Sequence, residues 1–209
     1  MSFQSHRPLG LAARVLPAFL LFASAIVATA QADHRQVPSA PERWSANAPA
    51  SEPDFTRHVI PLMGKLGCNS RACHGSFQGQ NGFRLSLFGH DPALDFAELT
   101  DDEGVSRIDL KHPEKSLAVT KPTNGDEHGG GLRMEVGSWQ HRIFKEWIAS
   151  GAKWEAAKSP VIERVVIEPA EIRLAAPSAE KASEAKPELV PLTLHAYFND
   201  GTFDDVTAM

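Results

Sequence analysis

Cysteine is nearly absent: Cys68 and Cys73 are the only two in 209 residues. That excludes the disulfide-dense scaffolds of small exported domains, and the pair must be explained by its immediate neighbours. A basic stripe is also missing. With 21 Lys+Arg against 26 Asp+Glu the net charge is -5, which excludes a nucleic-acid partner and suits a soluble acidic surface facing a basic or neutral partner. Long hydrophobic runs are lacking as well. The longest, Val15 to Val27, is broken by Pro17 and too short to span a bilayer comfortably.

What is present at the N-terminus is Arg7, Arg14, no acidic residue through Ala30, and Ala28-Thr29-Ala30 after the apolar run. A basic start, a short apolar core and an A-x-A site predict a secretory signal peptide over residues 1–30, with Ala30-Gln31-Ala32 as a second cleavage site. Loss of the two arginines makes the mature chain more acidic still. An uncleaved leader is the alternative, and the one way this chain would be tied to a membrane. Export to the periplasm or cell surface puts the two thiols where thiols oxidise.

Residues 31–53, rich in Pro, Ala, Ser and charge, read as a linker. From Asp54 the pattern turns helical: Asp54 is a plausible N-cap, Phe55, Val59, Leu62, Met63 and Leu66 share one stripe, Pro61 predicts a kink, and Gly67 ends the helix. Gly75 to Asp109 reads as mostly irregular. Phe83 to Phe88 alternates as a short strand or an extended loop able to pack Phe83, Leu85 and Leu87 over a flat hydrophobe. Pro92–Leu99 and Ser116–Val119 predict short helices. Three glycines make Glu127 to Met134 a loop whose backbone can approach a ligand closely. The clearest helix starts at the cap Ser138, carries Trp139, Ile143, Phe144, Trp147 and Ile148 on one face, and closes at Gly151. The two tryptophans on that face read as core packing rather than electron-transfer stations.

Beyond Trp154 the pattern becomes strand-like. Ile162–Glu168 and Leu189–Phe198 flank a solvated Ala175–Pro187 loop, and Asn199-Asp-Gly201 is a turn. Two strands do not make a stable sheet alone. A third strand is expected to begin just as the chain stops at Met209, so the sequence reads as a piece of a longer protein.

The stretch that carries chemistry is Gly67-Cys-Asn-Ser-Arg-Ala-Cys-His-Gly75. The usual haem attachment motif is C-x-x-C-H; here four residues separate the cysteines, giving C-x4-C-H. The requirement is unchanged: two thiols reach two vinyl groups on one porphyrin edge, and the imidazole next to the second thiol reaches the iron. The competing readings are a Cys68–Cys73 disulfide closing a small loop, a zinc site lacking a fourth ligand, and thioredoxin-like chemistry, for which the βαβ context is missing. For the sixth position of the iron the candidates are His128 and Met134, ahead of His58, His90, His112 and His141. His58 and His141 read as helix-surface residues, His90 and His112 as turn residues. An axial Met raises the potential and a second His lowers it relative to Met.

Phe55 to Gly75, Gly82-Phe-Arg-Leu-Ser-Leu-Phe-Gly89, His112-Pro-Glu-Lys-Ser-Leu117, Lys121-Pro-Thr123, His128-Gly-Gly-Gly131 and Trp147-Ile-Ala-Ser-Gly-Ala152 together resemble the planctomycete-type cytochrome c domain. The resemblance covers Asp54 to about Trp154. It implies a mainly α, small class-I-like cytochrome c domain over 54–155, with first and last helices packed beside one covalent haem c. It also implies Cys68 and Cys73 as attachment residues and His74 as proximal iron ligand. Related domains often carry Met-Pro-Pro-Gly-Gly where this chain has Glu-His-Gly-Gly-Gly, which makes His128 the preferred distal ligand, with Met134 as the alternative. Residues 156–209 resemble the opening strands of a bacterial Ig-like group 2 domain, so a truncated all-β sandwich segment is expected there.

The implied function is electron transfer, with no catalytic residue assigned and a redox partner protein, or further domains of the full-length chain, at the other end. Two alternatives stand beside it. One is a haem peroxidase or a redox or gas sensor with an open sixth site. The other is a haem-free exported Ig-like structural or binding protein stapled by a Cys68–Cys73 disulfide.

Overall fold

The computed structural model describes residues 37–101, 107–173 and 189–209, all within the unit His34–Met209. The expected leader and the whole of the expected Ala175–Pro187 loop lie outside the described residues. No helix among the described residues is long and apolar enough to cross a membrane.

The helix expected from Asp54 forms in two parts. Asp54 caps it, its side chain accepting from the Arg57 N–H at 2.7 Å. Phe55–Val59 is a wide π-helical turn, and α2 (Ile60–Lys65) continues it with Pro61 in its first turn. Pro61 has no N–H to give, and the widened turn lies immediately before it. Gly67 then turns the chain out at a φ of 77°. α3 (Pro92–Thr100) and the short α4 (Leu117–Thr120) follow, and α5 (Trp139–Ala149) starts at Ser138, whose hydroxyl accepts from the His141 N–H.

The core forms where the first turn meets the last helix. Phe55 stacks on Trp147 at 5.2 Å between ring centres. Phe96 of α3 meets Phe55 edge-on at 5.3 Å, and Trp154 packs on both phenylalanines. Val59, Leu62, Ile143 and Ile148 are fully buried around them. Sequence periodicity supplied the two apolar stripes; that the first and last helices pack on each other was implied by the resemblance.

The segment read as a linker behaves differently. Ala40–Arg43 forms a single capped turn, α1, and Trp44 is 1% exposed, inside the core. Arg142 of α5 holds the strap that follows, donating to the carbonyls of Ser45 and Ala48 while pairing with Glu146; the Glu146 carboxylate also accepts from the Ser51 N–H.

The C-terminal strands form one antiparallel sheet in the order β1 (Ile162–Glu168), β2 (Thr193–Phe198), β3 (Phe203–Asp205). The third strand is therefore complete before the chain stops, three residues long and paired His195–Asp205 through Tyr197–Phe203.

The expected fold class needs correction. Only 29% of the described residues are helical and 12% are strand, so the protein is not mainly α. The helices are short because glycine and proline break them: Gly67, Gly79, Gly82 and Gly89 all take positive φ between α2 and α3. The long stretch from Cys68 to Asp91 is loop, with one short 3-10 turn at Leu87–Gly89. Nor do the described residues form a sandwich. There is one three-stranded sheet, and Ile162, Val165 and Ile167 of β1 are about half exposed rather than covered by a second layer.

Asp204 of β3 is where the sheet grips the helical part. Its carboxylate pairs with Arg43 at 2.6 Å and with Arg57, and faces His58 Nε2 at 3.5 Å. Arg57 also donates to the Thr202 hydroxyl at 2.8 Å and lies over the Phe198 ring. His58, expected on the helix surface, is 7% exposed; its Nδ1 accepts from the Asp54 N–H at 2.8 Å, and its ring meets Trp44 edge-on.

Candidate functional site

A cavity of about 540 Å³ opens between the Cys68–Gly75 loop and the glycine-rich loop before α5, a size typical of pockets for small molecules and cofactors. Met63, Leu85, Leu99 and Phe144 make its walls apolar. Cys68, Cys73, His74 and Phe83 line one side, and Pro122, His128, Gly129 and Gly130 another.

The Cys68–Gly75 loop is closed on itself by backbone bonds. Cys68 N–H donates to Met63 O, His74 N–H to Cys68 O, and both Cys73 and Gly75 N–H to Ser70 O, all near 3.0 Å. Leu85 N–H then donates to His74 O at 2.8 Å, laying the Phe83–Leu85 segment along the loop. Asp95 fixes the far end of that segment, its buried carboxylate accepting from the Ser86 N–H and hydroxyl. Phe83 and Leu85 face the cavity as expected of a flat apolar cover; Leu87 points elsewhere, 39% exposed.

Gly75 is the tightest point of the loop, because a Cβ there would overlap the Asn69 carbonyl carbon and oxygen. Backbone cannot yield as a side-chain tip can. Gly75→Ala is expected to destabilise the fold by about 1–3 kcal/mol, as overpacking does. Gly129→Ala, where a Cβ meets nothing within 4 Å, should leave a thermal melt nearly unchanged. Equal melts for the two variants would refute the steric account.

His74 and His128 face each other across the cavity. Their ring centres are 6.4 Å apart and their planes differ by 12°. The Nδ1 of His74 stands 3.1 Å from the Phe83 carbonyl, and that of His128 stands 2.9 Å from the Gly131 carbonyl. A carbonyl only accepts, so each Nδ1 carries the proton and each Nε2 keeps its lone pair. Burial pushes the His74 imidazole below its ordinary pKa. The Phe83 carbonyl opposes this, while His128 and Arg107 add to it. A Cβ on Gly130 would come within 2.9 Å of His128 Cε1, so the bare glycine gives that ring its room.

Both cysteines are free thiols. Burial, partly offset by Arg133, pushes the Cys68 thiol up to about 11. Arg133 Nη2 lies 4.0 Å from Cys73 Sγ. Met134, the other candidate ligand, is 4% exposed in the hydrophobic core and does not line the cavity. His90 and His112 are exposed, and His58 and His141 are buried away from it.

Three cavity-lining cations, Arg107, Lys121 and Arg133, went unassigned in the sequence. Lys121 sat within a quoted motif, but Arg107 had no local signal. Among the described residues no group of three or more His, Cys, Asp or Glu side chains could hold a metal ion unaided. The site instead brings together two imidazoles, two thiols and apolar walls. No family model, curated protein or solved structure matches the chain.

Proposed function

We propose that residues 54–155 bind one haem c covalently and serve electron transfer in an exported protein, as the resemblance to planctomycete-type cytochrome c implies. The observation that carries the reading is the His74–His128 pair. A metal–imidazole bond is about 2.0 Å and an imidazole's centre lies about one ångström beyond its nitrogen, so two rings bound to opposite sides of one metal stand about 6 Å apart. The observed 6.4 Å separation matches that span. Each imidazole also donates its second ring nitrogen to a backbone carbonyl, the usual support of a metal-bound histidine.

When bound, haem supplies a one-electron carrier, the iron alternating between ferric and ferrous states. The chain's part is to hold it. Cys68 and Cys73 would hold it covalently through their thiols. His74 and His128 would hold its iron through their free Nε2 lone pairs. Met63, Leu85, Leu99 and Phe144 keep water off the faces. Electron exchange needs no acid, base or nucleophile, and none is assigned. The partner is a redox protein or a further domain of a longer chain.

The test is expression with the leader in a host that matures c-type cytochromes, followed by haem-stained denaturing gels and a pyridine haemochrome spectrum. Haem is expected to stay with the denatured wild-type chain and to be lost from the Cys68→Ala/Cys73→Ala variant. A folded product free of haem, made by a working maturation system, would sink the proposal and leave an exported domain with two neighbouring thiols.

A further inference from the structure

We infer that the outer edge of β1 is a homodimer interface, where two copies of this chain join antiparallel about a two-fold axis at Val166. The inference does not depend on the haem reading. The first observation is an open edge. β1 is the outermost strand of the sheet, with β2 as its one neighbour. Among the described residues, no backbone group outside the sheet hydrogen-bonds to residues 162–168. An open edge is a template for another strand, and proteins commonly blunt it with Lys or Pro. Ile162-Glu-Arg-Val-Val-Ile-Glu168 carries neither, and its Val165 and Ile167 are 51% and 49% exposed.

The second observation selects the occupant. The register shift between Ile162 and Arg164 bends that end of the strand, so the regular edge runs from Arg164 to Glu168. This stretch is self-complementary. Antiparallel pairing centred on Val166 sets Arg164 opposite the second copy's Glu168, Val165 opposite its Ile167, and Val166 opposite itself. Side chains directly opposite stand about 5 Å apart at Cβ, and opposite charges there attract. Both ends of the ladder close with an Arg–Glu pair and the middle is apolar. A shift of one residue sets Glu163 or Val165 opposite Glu168 and loses both ion pairs.

Arg164 is already placed for this pairing. Its guanidinium lies over the Tyr197 ring at 3.4 Å, on the face that Val166 and Glu168 share by strand alternation. A strand of other sequence would have to bring the reverse order of charge, whereas a second copy has it built in. The dimer would join two three-stranded sheets into one.

The test is sedimentation of the full chain over micromolar to millimolar concentrations. Wild type is expected to pass from monomer to dimer. Arg164→Glu and Glu168→Arg each turn two attractions into two repulsions, so each should weaken the dimer about tenfold or more. The double variant Arg164→Glu/Glu168→Arg re-forms both pairs and should restore the dimer. Val166→Cys reads the register, because directly opposite residues have Cα atoms about 4.5–5.5 Å apart, within disulfide reach. Mild oxidation should link this variant into a covalent dimer, beyond any that wild type forms through Cys68 and Cys73. Melting temperature is followed in each variant.

A wild-type chain that stays monomeric throughout would overturn the interface, and slow amide exchange across residues 162–168 in that monomer would assign the edge to another segment of the same chain. A dimer that survives both single reversals, or that Val166→Cys fails to link, would overturn it too and move the contact to another surface.

Discussion

Asp204→Ala is expected to destabilise the protein by about 3–5 kcal/mol, the cost of stripping one partner from a buried charge pair. The Asp204 side chain is 6% exposed, and Arg57 and His58 are nearly as enclosed, at 14% and 9%. Removing the carboxylate leaves the Arg57 guanidinium buried without its anion. Arg43→Ala should cost far less, about 1 kcal/mol, because Arg43 is 29% exposed and water replaces much of the contact. For a chain of this size the Asp204 effect corresponds to a melting temperature lower by roughly 6–20 °C. A melt within 2 °C of wild type would refute the clamp.

The same cluster sets the response to acid. Burial would raise the Asp204 carboxyl, but hydrogen bonds from His58, Arg57 and Arg43 outweigh it and hold the group well below its usual 3.8. A carboxylate depressed in the folded state contributes stability above its unfolded pKa and loses it as pH falls through the folded value. His58 acts earlier. Burial, the largest influence, keeps its imidazole below the ordinary 6.5 despite the Asp204 carboxylate. From about pH 6.5 downward the unfolded chain therefore takes up a proton that the folded chain refuses. Stability should decline first below pH 6.5 and then again below pH 3.8, and Asp204→Asn should remove the second decline. Denaturant titrations at stepped pH would measure both.

His128→Ala is expected to convert a low-spin ferric haem to high-spin, with covalent attachment through Cys68 and Cys73 unchanged. The reason is local: His128 is the cavity-lining imidazole opposite His74, and its Nδ1–H is already committed to the Gly131 carbonyl. Met134→Ala should behave in the opposite way. Its buried side chain fills core, so its loss should cost about 2–5 kcal/mol with the spin state kept. Gly130→Ala should fall between wild type and His128→Ala, since the added methyl crowds the ring edge at 2.9 Å. If Met134→Ala abolishes the low-spin bands and His128→Ala keeps them, the ligand assignment is reversed.

These expectations separate what local sequence encodes from what it does not. The helix from Ser138 to Gly151 was legible because cap, apolar stripe and terminator lie within fourteen residues and act on the same backbone. The Cys68–His74 loop could be singled out for a similar reason: the residues of the candidate site form a contiguous string. Trp44 was not, because its Pro- and Ser-rich neighbourhood gives no periodicity and its burial depends on α5, about a hundred residues later. Asp204 was not either. Its partners stand 161 and 147 residues away, and nothing near Phe203 signals that a three-residue strand pairs and delivers a carboxylate to Arg57. The mainly α expectation failed for a related reason. Short stripes at 54–66, 92–99 and 116–119 were each read correctly as helix, but the glycine-rich stretches between them hold their shape through scattered loop hydrogen bonds that have no period to detect.

The buried thiol of Cys68 also has a consequence for the order of events in the life of the chain. At neutral pH a thiol held near 11 is almost wholly protonated, and the thiolate is the nucleophile. Once Phe55 has closed on Trp147, Cys68 still lines the cavity but is a slow reagent there. If the proposed haem attachment is right, bonding at Cys68 should run faster while the chain is still open than after tertiary closure, so the finished fold would slow a choice best made early.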